Sequence, residues 1–412
     1  MLRDRNARFY LAGVVVSGLG DSAMTLAAGV WVKELTGSDA LAALVGFCVW
    51  APALAGPFIG TLADRMRRRP LLIATSLALA VITTAPVTVR SADDVWLLFT
   101  VLTLVGVGAV LTDAAETALV ASAIPGEQRG DFNGLVRTAT ESTSLLGPLA
   151  GAALFTVLGG PIVAALNAVT FLLAAAAFSL IRVRETAPGK RPARKWRAET
   201  AQGISYLWRH PVLRPLVLAG GCAMVASSLR SSATYALVDT GLHRPAAFAG
   251  VFAPIQGLGS VVGGLTVGAL LRRVPARTVS AFGLALVTVG SISLATPWLP
   301  AVLGGTLVIG LGLPWPLISA MTTVQKETPS ELIGRVAASA NTIVFAPTAL
   351  ALLMGTAMVA TFDYRLQLLA AGVVALAAVA LLVTADRATG YEASADSDAD
   401  DRPHDVTRAR KG

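Results

Sequence analysis

Apolar residues along this chain come in runs of about 20, the length a helix needs to cross roughly 30 Å of hydrocarbon. Short polar or basic turns separate them. The runs predict twelve spans, near residues 9–32, 41–63, 71–90, 95–122, 133–158, 161–181, 212–238, 247–271, 277–296, 299–323, 334–360 and 364–385. The expected fold class is an all-α integral membrane protein with 12 transmembrane helices in two six-helix pseudo-symmetric bundles. Residues 1–181 form the first bundle, 182–211 a basic cytoplasmic linker and 212–385 the second bundle. Residues 386–412 mix acids, Arg and Gly without apolar periodicity and are expected to be a disordered cytoplasmic tail. In the linker, Trp196 to Trp208 carries apolar and aromatic residues at helical spacing, as an interfacial helix would, and a basic solvated loop is the equal alternative.

The halves echo one another. Pro125, Glu127 and Gly130, between the fourth and fifth runs, recur at the same spacing as Pro329, Glu331 and Gly334, between the tenth and eleventh. Gly60, followed by arginines, has a weaker echo at Gly268 before Arg272 and Arg273. Two echoes in sequence order favour a duplicated six-helix unit with a substrate path between the copies.

Composition agrees and narrows the class. With 54% hydrophobic and 14% charged residues and a mean hydropathy of +0.67 over 412 residues, the chain is too apolar for a soluble globular protein. The net charge of +8 sits in turns, not on one face or beside aromatic platforms, so no nucleic-acid partner is expected. Those charges instead report topology. Arg3, Arg5 and Arg8, the Arg65 to Arg69 knot, the linker, and Arg272, Arg273 and Arg277 fall on one side. Lys33, Glu34, Asp39, Arg90, Asp93, Asp94, Asp239, Arg244, Asp363 and Arg365 fall on the other, where acids balance the few cations. The positive-inside rule then places both termini in the cytoplasm. Abundant Ala, and Arg in excess over Lys, suggest a bacterial genome, hence a bacterial plasma (inner) membrane.

The first apolar run is too long for a signal-peptide core and is taken as a span. Cys48 and Cys222 lie inside apolar runs and the three histidines are scattered, so neither a metal nor a cofactor is expected. No phosphate-binding Gly-rich loop and no long soluble segment is present, which argues against an ATPase or another enzyme. Trp31, Trp50, Trp96, Trp298 and Trp315 fall near predicted helix ends, where interfacial anchoring explains them.

An ionisable group inside a span costs at least ~2.5 kcal/mol, so each is a functional candidate. Asp21, in Gly18-Leu19-Gly20-Asp21-Ser22, stands near mid-membrane among small neighbours. A carboxylate there exchanges a proton when its hydration changes, as proton coupling requires; a structural hydrogen bond to a neighbouring helix is the alternative. Asp113 and Glu116 share a face of the fourth span and suit a cation path or partners from the arginine knot. Glu141 joins Asp21, Asp113 and Glu116 as a proton-coupling candidate, although its i, i+4 spacing from Arg137 lets the two neutralise each other. Asp21, Arg137, Arg230, Gln256 and Asn341 are the candidate lining of the substrate cavity. Arg230 either binds an anionic substrate or holds a carboxylate partner.

Gly60, Leu62, Asp64, Arg65, Arg68 and Arg69 resemble the loop 2–3 signature of the major facilitator superfamily, with Arg67 in place of its second glycine. The resemblance implies that Gly60, Asp64, Arg65, Arg68 and Arg69 form a gating latch, with Arg68 paired to Glu116 or Asp113. Ser144 to Ala152 is similar to the fifth-helix motif of antiporters, and Gly147, Pro148 and Gly151 in it imply a bent helix packed closely across the interface of the halves. Leu102 replaces the arginine that many drug–proton antiporters carry in the fourth helix, which points to a branch resembling the macrolide-efflux type.

The implied function is secondary active transport, as proton-coupled efflux of small amphipathic compounds, drugs or toxic metabolites, by alternating access. An importer or facilitator of a small metabolite, or a non-transporting receptor on the same fold, are the alternatives. The expected partners are a small-molecule substrate, protons and the lipid bilayer, with the protein working as a monomer.

Overall fold

The computed structural model describes residues 5–56, 58–59, 66–123, 129–182, 193–329 and 332–400. Gly60, Asp64 and Arg65 of the expected latch, and Pro125, Glu127 and Glu331 of the repeat, lie outside them. Every regular element described is helical. In the first half these are α1 (Arg5–Thr36), α2 (Asp39–Trp50), α3 (Arg68–Ile82), α4 (Val95–Ala123), α5 (Arg129–Leu158) and α6 (Gly160–Ser179). After a linker helix, α7 (Ala193–Arg209), the second half has α8 (Leu213–Ser232), α9 (Phe252–Leu271), α10 (Ala276–Leu294), α11 (Leu299–Gly312), α12 (Pro314–Glu327), α13 (Ile333–Phe345), α14 (Pro347–Thr361) and α15 (Tyr364–Asp400).

Among the described residues, ten helical segments are long and apolar enough to cross a membrane, or eleven if the bent pair 201–209 and 213–232 is one span. Several predicted spans are interrupted, and proline is the cause. Pro314 and Pro347 lack the N–H that would continue the preceding helix, so each of the spans 299–327 and 333–361 carries one break in its hydrogen bonding, between α11 and α12 and between α13 and α14, and remains one crossing. Pro52 likewise follows α2, which gives way to a 3-10 turn over Ala51–Ala55.

Of the two readings of the linker the structure has the helical one, and the tail departs from its expectation. The linker contains a helix, and Gly203 of α7 sits against the backbone of Arg335 in α13, so this helix docks on the second half. α7 meets α8 at 105°, with Trp208 and Ile204 exposed on it as lipid-facing residues would be. α15 continues to Asp400, beyond the Asp386 where lost periodicity predicts an unstructured tail. Helical backbone bonds are local and need no buried face, and this stretch holds Ala388, Ala393, Ala395 and Ala399, strong helix formers.

The apolar cores show how the halves meet. One cluster draws on both, joining Met24, Ala27, Val30 and Trp31 of α1 to Tyr235, Leu237, Val238, Phe252 and Tyr364. The others stay within one half: Tyr10, Leu72, Leu119, Phe132 and Phe178 in the first, and Leu207, Leu216, Leu284, Val336 and Ala375 in the second. The shared cluster lies toward the arginine-poor ends of the helices, where α1 finishes. Toward the arginine-rich ends the two bundles keep separate cores.

Candidate functional site

Asp21 lies midway along α1. Asn167 Nδ2, from α6, donates to its Oδ1 at 3.4 Å, and Thr170 Oγ1 donates in turn to Asn167 Oδ1 at 3.0 Å. Asn167 is buried, and Asp21 is half-buried. The acid therefore faces α6 within the first half and ends a short polar chain. Asn167, a lone amide in the apolar run 160–179, is the partner that sequence reasoning missed.

The glycines expected to pack across the halves pack elsewhere. A Cβ at Gly147 would run into Ser22 and lie 3.3 Å from Leu19 O; at Gly151 it would run into the backbone of Ala23. Both therefore bring α5 against α1 next to Asp21, inside one bundle. The contact across the halves is made by their neighbours. A Cβ at Gly250 would lie 2.6 Å from Ala152 Cβ and 2.9 Å from Pro148 O, and one at Gly257 would collide with Leu145. Gly151→Leu should force α5 off α1, with a loss of ~1–3 kcal/mol in stability, measurable as a lower unfolding temperature in detergent; an unchanged temperature would mean the helices are not in contact.

At the arginine-rich end, the Arg69 guanidinium donates to Phe178 O at 3.3 Å and Ser179 O at 2.5 Å, and Arg5 donates to Leu180 O at 3.0 Å. These cations close the carboxyl end of α6, whose last carbonyls lack helical partners. Arg69, expected in an acid latch, thus also serves as a helix cap. Arg68 donates to Met66 O at 2.8 Å. Glu116 is half-buried and accepts a hydrogen bond from the Tyr10 hydroxyl of α1, while Asp113 is exposed.

Arg137 and Glu141 pair with each other at 2.5 Å across one turn of α5, both well exposed. This is the mutual neutralisation that their spacing allows. In the second half, Arg230 and Gln256 come together: Arg230 Nη2 donates to Gln256 Oε1 at 2.8 Å. Arg230 is buried with Nε lacking a partner. Asn341 is exposed on α13 and joins neither. Of the tryptophans, Trp50, Trp96 and Trp298 are exposed as interfacial anchors would be. Trp31 is buried against Gly160, and Trp315 donates to Gly263 O at 3.1 Å, so these two are packing residues.

The arginine-poor end holds a connection that no local pattern reveals. Lys33, near the end of α1, contacts Asp39 at 2.9 Å and Gly37 O at 3.0 Å within its own half, and Asp239 of the second half at 2.6 Å. Tyr235 donates to Leu26 O at 3.3 Å beside Gly29, where a side chain would collide with the phenol. α2 also packs on α14, with Gly46 facing Leu352. An ion pair, a hydrogen bond and apolar packing thus join the halves at one end.

A surface hollow of about 440 Å3 at the α7–α8 joint is lined by Gln202, Tyr206, Arg209, His210 and Leu332. It contains none of the residues expected to line the transport path. Among the described residues no cluster of three or more His, Cys, Asp or Glu could hold a metal ion.

The Major Facilitator Superfamily profile matches residues 10–352. The multidrug resistance protein MdtG of Proteus mirabilis (strain HI4320) is 33% identical over 127 residues, 31% of this chain and 29% of that protein. MdtG of Klebsiella pneumoniae (strain 342) is 35% identical over 100 residues, 24% of this chain and 23% of that protein. The chain thus aligns with less than a third of the length of these curated relatives. Among solved structures, the bacterial homologue of the lysosomal transporter Spinster, inward-facing and unoccupied, superposes with a TM-score of 0.73 at 15% identity, covering 93% of this chain and 98% of that one. The bacterial homologue of the iron transporter ferroportin, in an inward-facing state, gives 0.74 at 15% identity over 92% and 98%. At such identity the likeness concerns the fold alone.

Proposed function

Because the chain belongs to the major facilitator superfamily, a family of multi-pass membrane transporters rather than enzymes, we propose that it is a proton-coupled exporter of small amphipathic compounds in a bacterial plasma membrane. The observation that carries the alternating-access part of this reading is the asymmetry of the cores, shared at the arginine-poor end and separate at the other. With the arginine-rich end and both termini in the cytoplasm, as the positive-inside rule requires, this conformation is open to the inside. The proposed topology has twelve spans, counting the ten long segments, the bent pair at α7–α8 and the shorter apolar segment Asp39–Ala55.

Asp21 is the proposed proton carrier. Its Asn167 partner is neutral, so hydration of the α1–α6 contact is what changes the proton's affinity between states, and substrate and proton share one conformational cycle. The partial likeness to multidrug resistance proteins supports amphipathic cargo and export. Glu116 and Asp113, at the inner end of α4, are the proposed relay toward the cytoplasm, and Arg68 and Arg69 with the adjoining loop the proposed inner latch.

Proteoliposomes bearing the full chain and an imposed pH gradient test the proposal. A panel of amphipathic antibiotics and dyes should yield at least one compound whose flux moves protons against it. Flux of a compound independent of any gradient would make the protein a facilitator, and no flux of any compound would remove the transport reading.

A further inference from the structure

Resting on the exporter reading above, we infer that the transported molecule carries an anionic carboxylate that seats on Arg230. Arg230 is only 8% exposed, in the last turn of α8, from which helical turns run on to Gly241. A guanidinium in such surroundings is retained where it is paired. Among the described residues from Leu213 to Thr384 the acids are Asp239, Glu327 and Asp363, all at or beyond the ends of helices. Asp239 is held by Lys33. None of these described acids pairs with Arg230.

Among the described residues of the first half, the acids inside the spans have partners of their own. Asp21, at mid-helix, is turned to Asn167 of α6; Glu141 is held by Arg137, and Glu116 by Tyr10. Among the described residues, the hydrogen-bond partner of the Arg230 guanidinium is the neutral Gln256 amide, and Nε is sealed without an acceptor. The fork is thus oriented by Gln256 and left without an anion. Arg presents paired N–H donors in a plane that matches a carboxylate, so an incoming carboxylate supplies the charge and the acceptors that the chain withholds. Gln256 on α9 then positions the guanidinium, and α9 also abuts the first half where Gly257 meets Leu145. Anion binding at Arg230 accordingly lies one helix away from the surface on which the two halves move.

Matched probes test this without any gradient. The purified full chain is heated with phenylalkanoic acids of increasing chain length and, separately, with the primary amide of each. The acids should stabilise the wild-type protein and the amides should not, and Arg230→Gln should weaken acid binding roughly tenfold or more. Gln256→Glu places a carboxylate beside Arg230; it should raise the melting temperature of the ligand-free protein and abolish the response to acids, a result that does not depend on Arg230→Gln folding. Equal response to acid and amide, no response to any acid, or a full acid response in Gln256→Glu would overturn the assignment. Because no proton gradient enters this measurement, it fails independently of the proton-coupled reading.

Discussion

Asp21→Asn is expected to abolish substrate-driven proton movement in proteoliposomes, down to the level of protein-free vesicles, while substrate binding persists. Asn has nearly the same shape and can still accept from Asn167 Nδ2, so the α1–α6 contact survives and the stability change should stay within ~1–2 kcal/mol. What it cannot do is take up or release a proton. The close packing of Gly147 and Gly151 on Ser22 and Ala23 holds α1 against α5 beside this position, and that contact is untouched by the substitution. Coupling that is unchanged in Asp21→Asn would reduce this carboxylate to a structural partner of Asn167. In that event Asn167→Leu becomes the informative variant, because leaving the acid without its donor would then cost stability and spare flux.

Asp239→Asn is expected to shift the conformational equilibrium toward the state open at the arginine-poor end. Lys33 keeps Asp39 and Gly37 O as partners when the halves separate, so of its ion pairs opening breaks the one to Asp239. Asp239 is 53% exposed, and solvent screening holds such a pair to about 1 kcal/mol. That predicts a roughly fivefold change in the ratio of states, readable as distance distributions between spin labels placed on the ends of α2 and α14. Tyr235→Phe, which deletes the hydrogen bond to Leu26 O, should act in the same direction. A distribution unmoved in both variants would show that apolar packing alone, such as Gly46 against Leu352, closes this end.

The sequence by itself determined the class: an all-helical membrane protein whose apolar runs mark most of its crossings. Hydrocarbon enforces that legibility, because backbone groups without water must satisfy one another within the helix, and the apolar length then marks each crossing. Local pairs were legible too, as Arg137 and Glu141 are one helical turn apart. Only the tertiary structure decided which distant groups meet. Asp21 finds Asn167 across 146 positions, Arg69 reaches the end of α6 across 110, and Lys33 meets Asp239 in the other half. Which face of a helix meets which neighbour depends on side-chain packing, and small residues such as Gly147 and Gly151 fit several neighbours equally well by composition. Their partner is selected by the shape of the whole bundle, and no short stretch of sequence carries that shape.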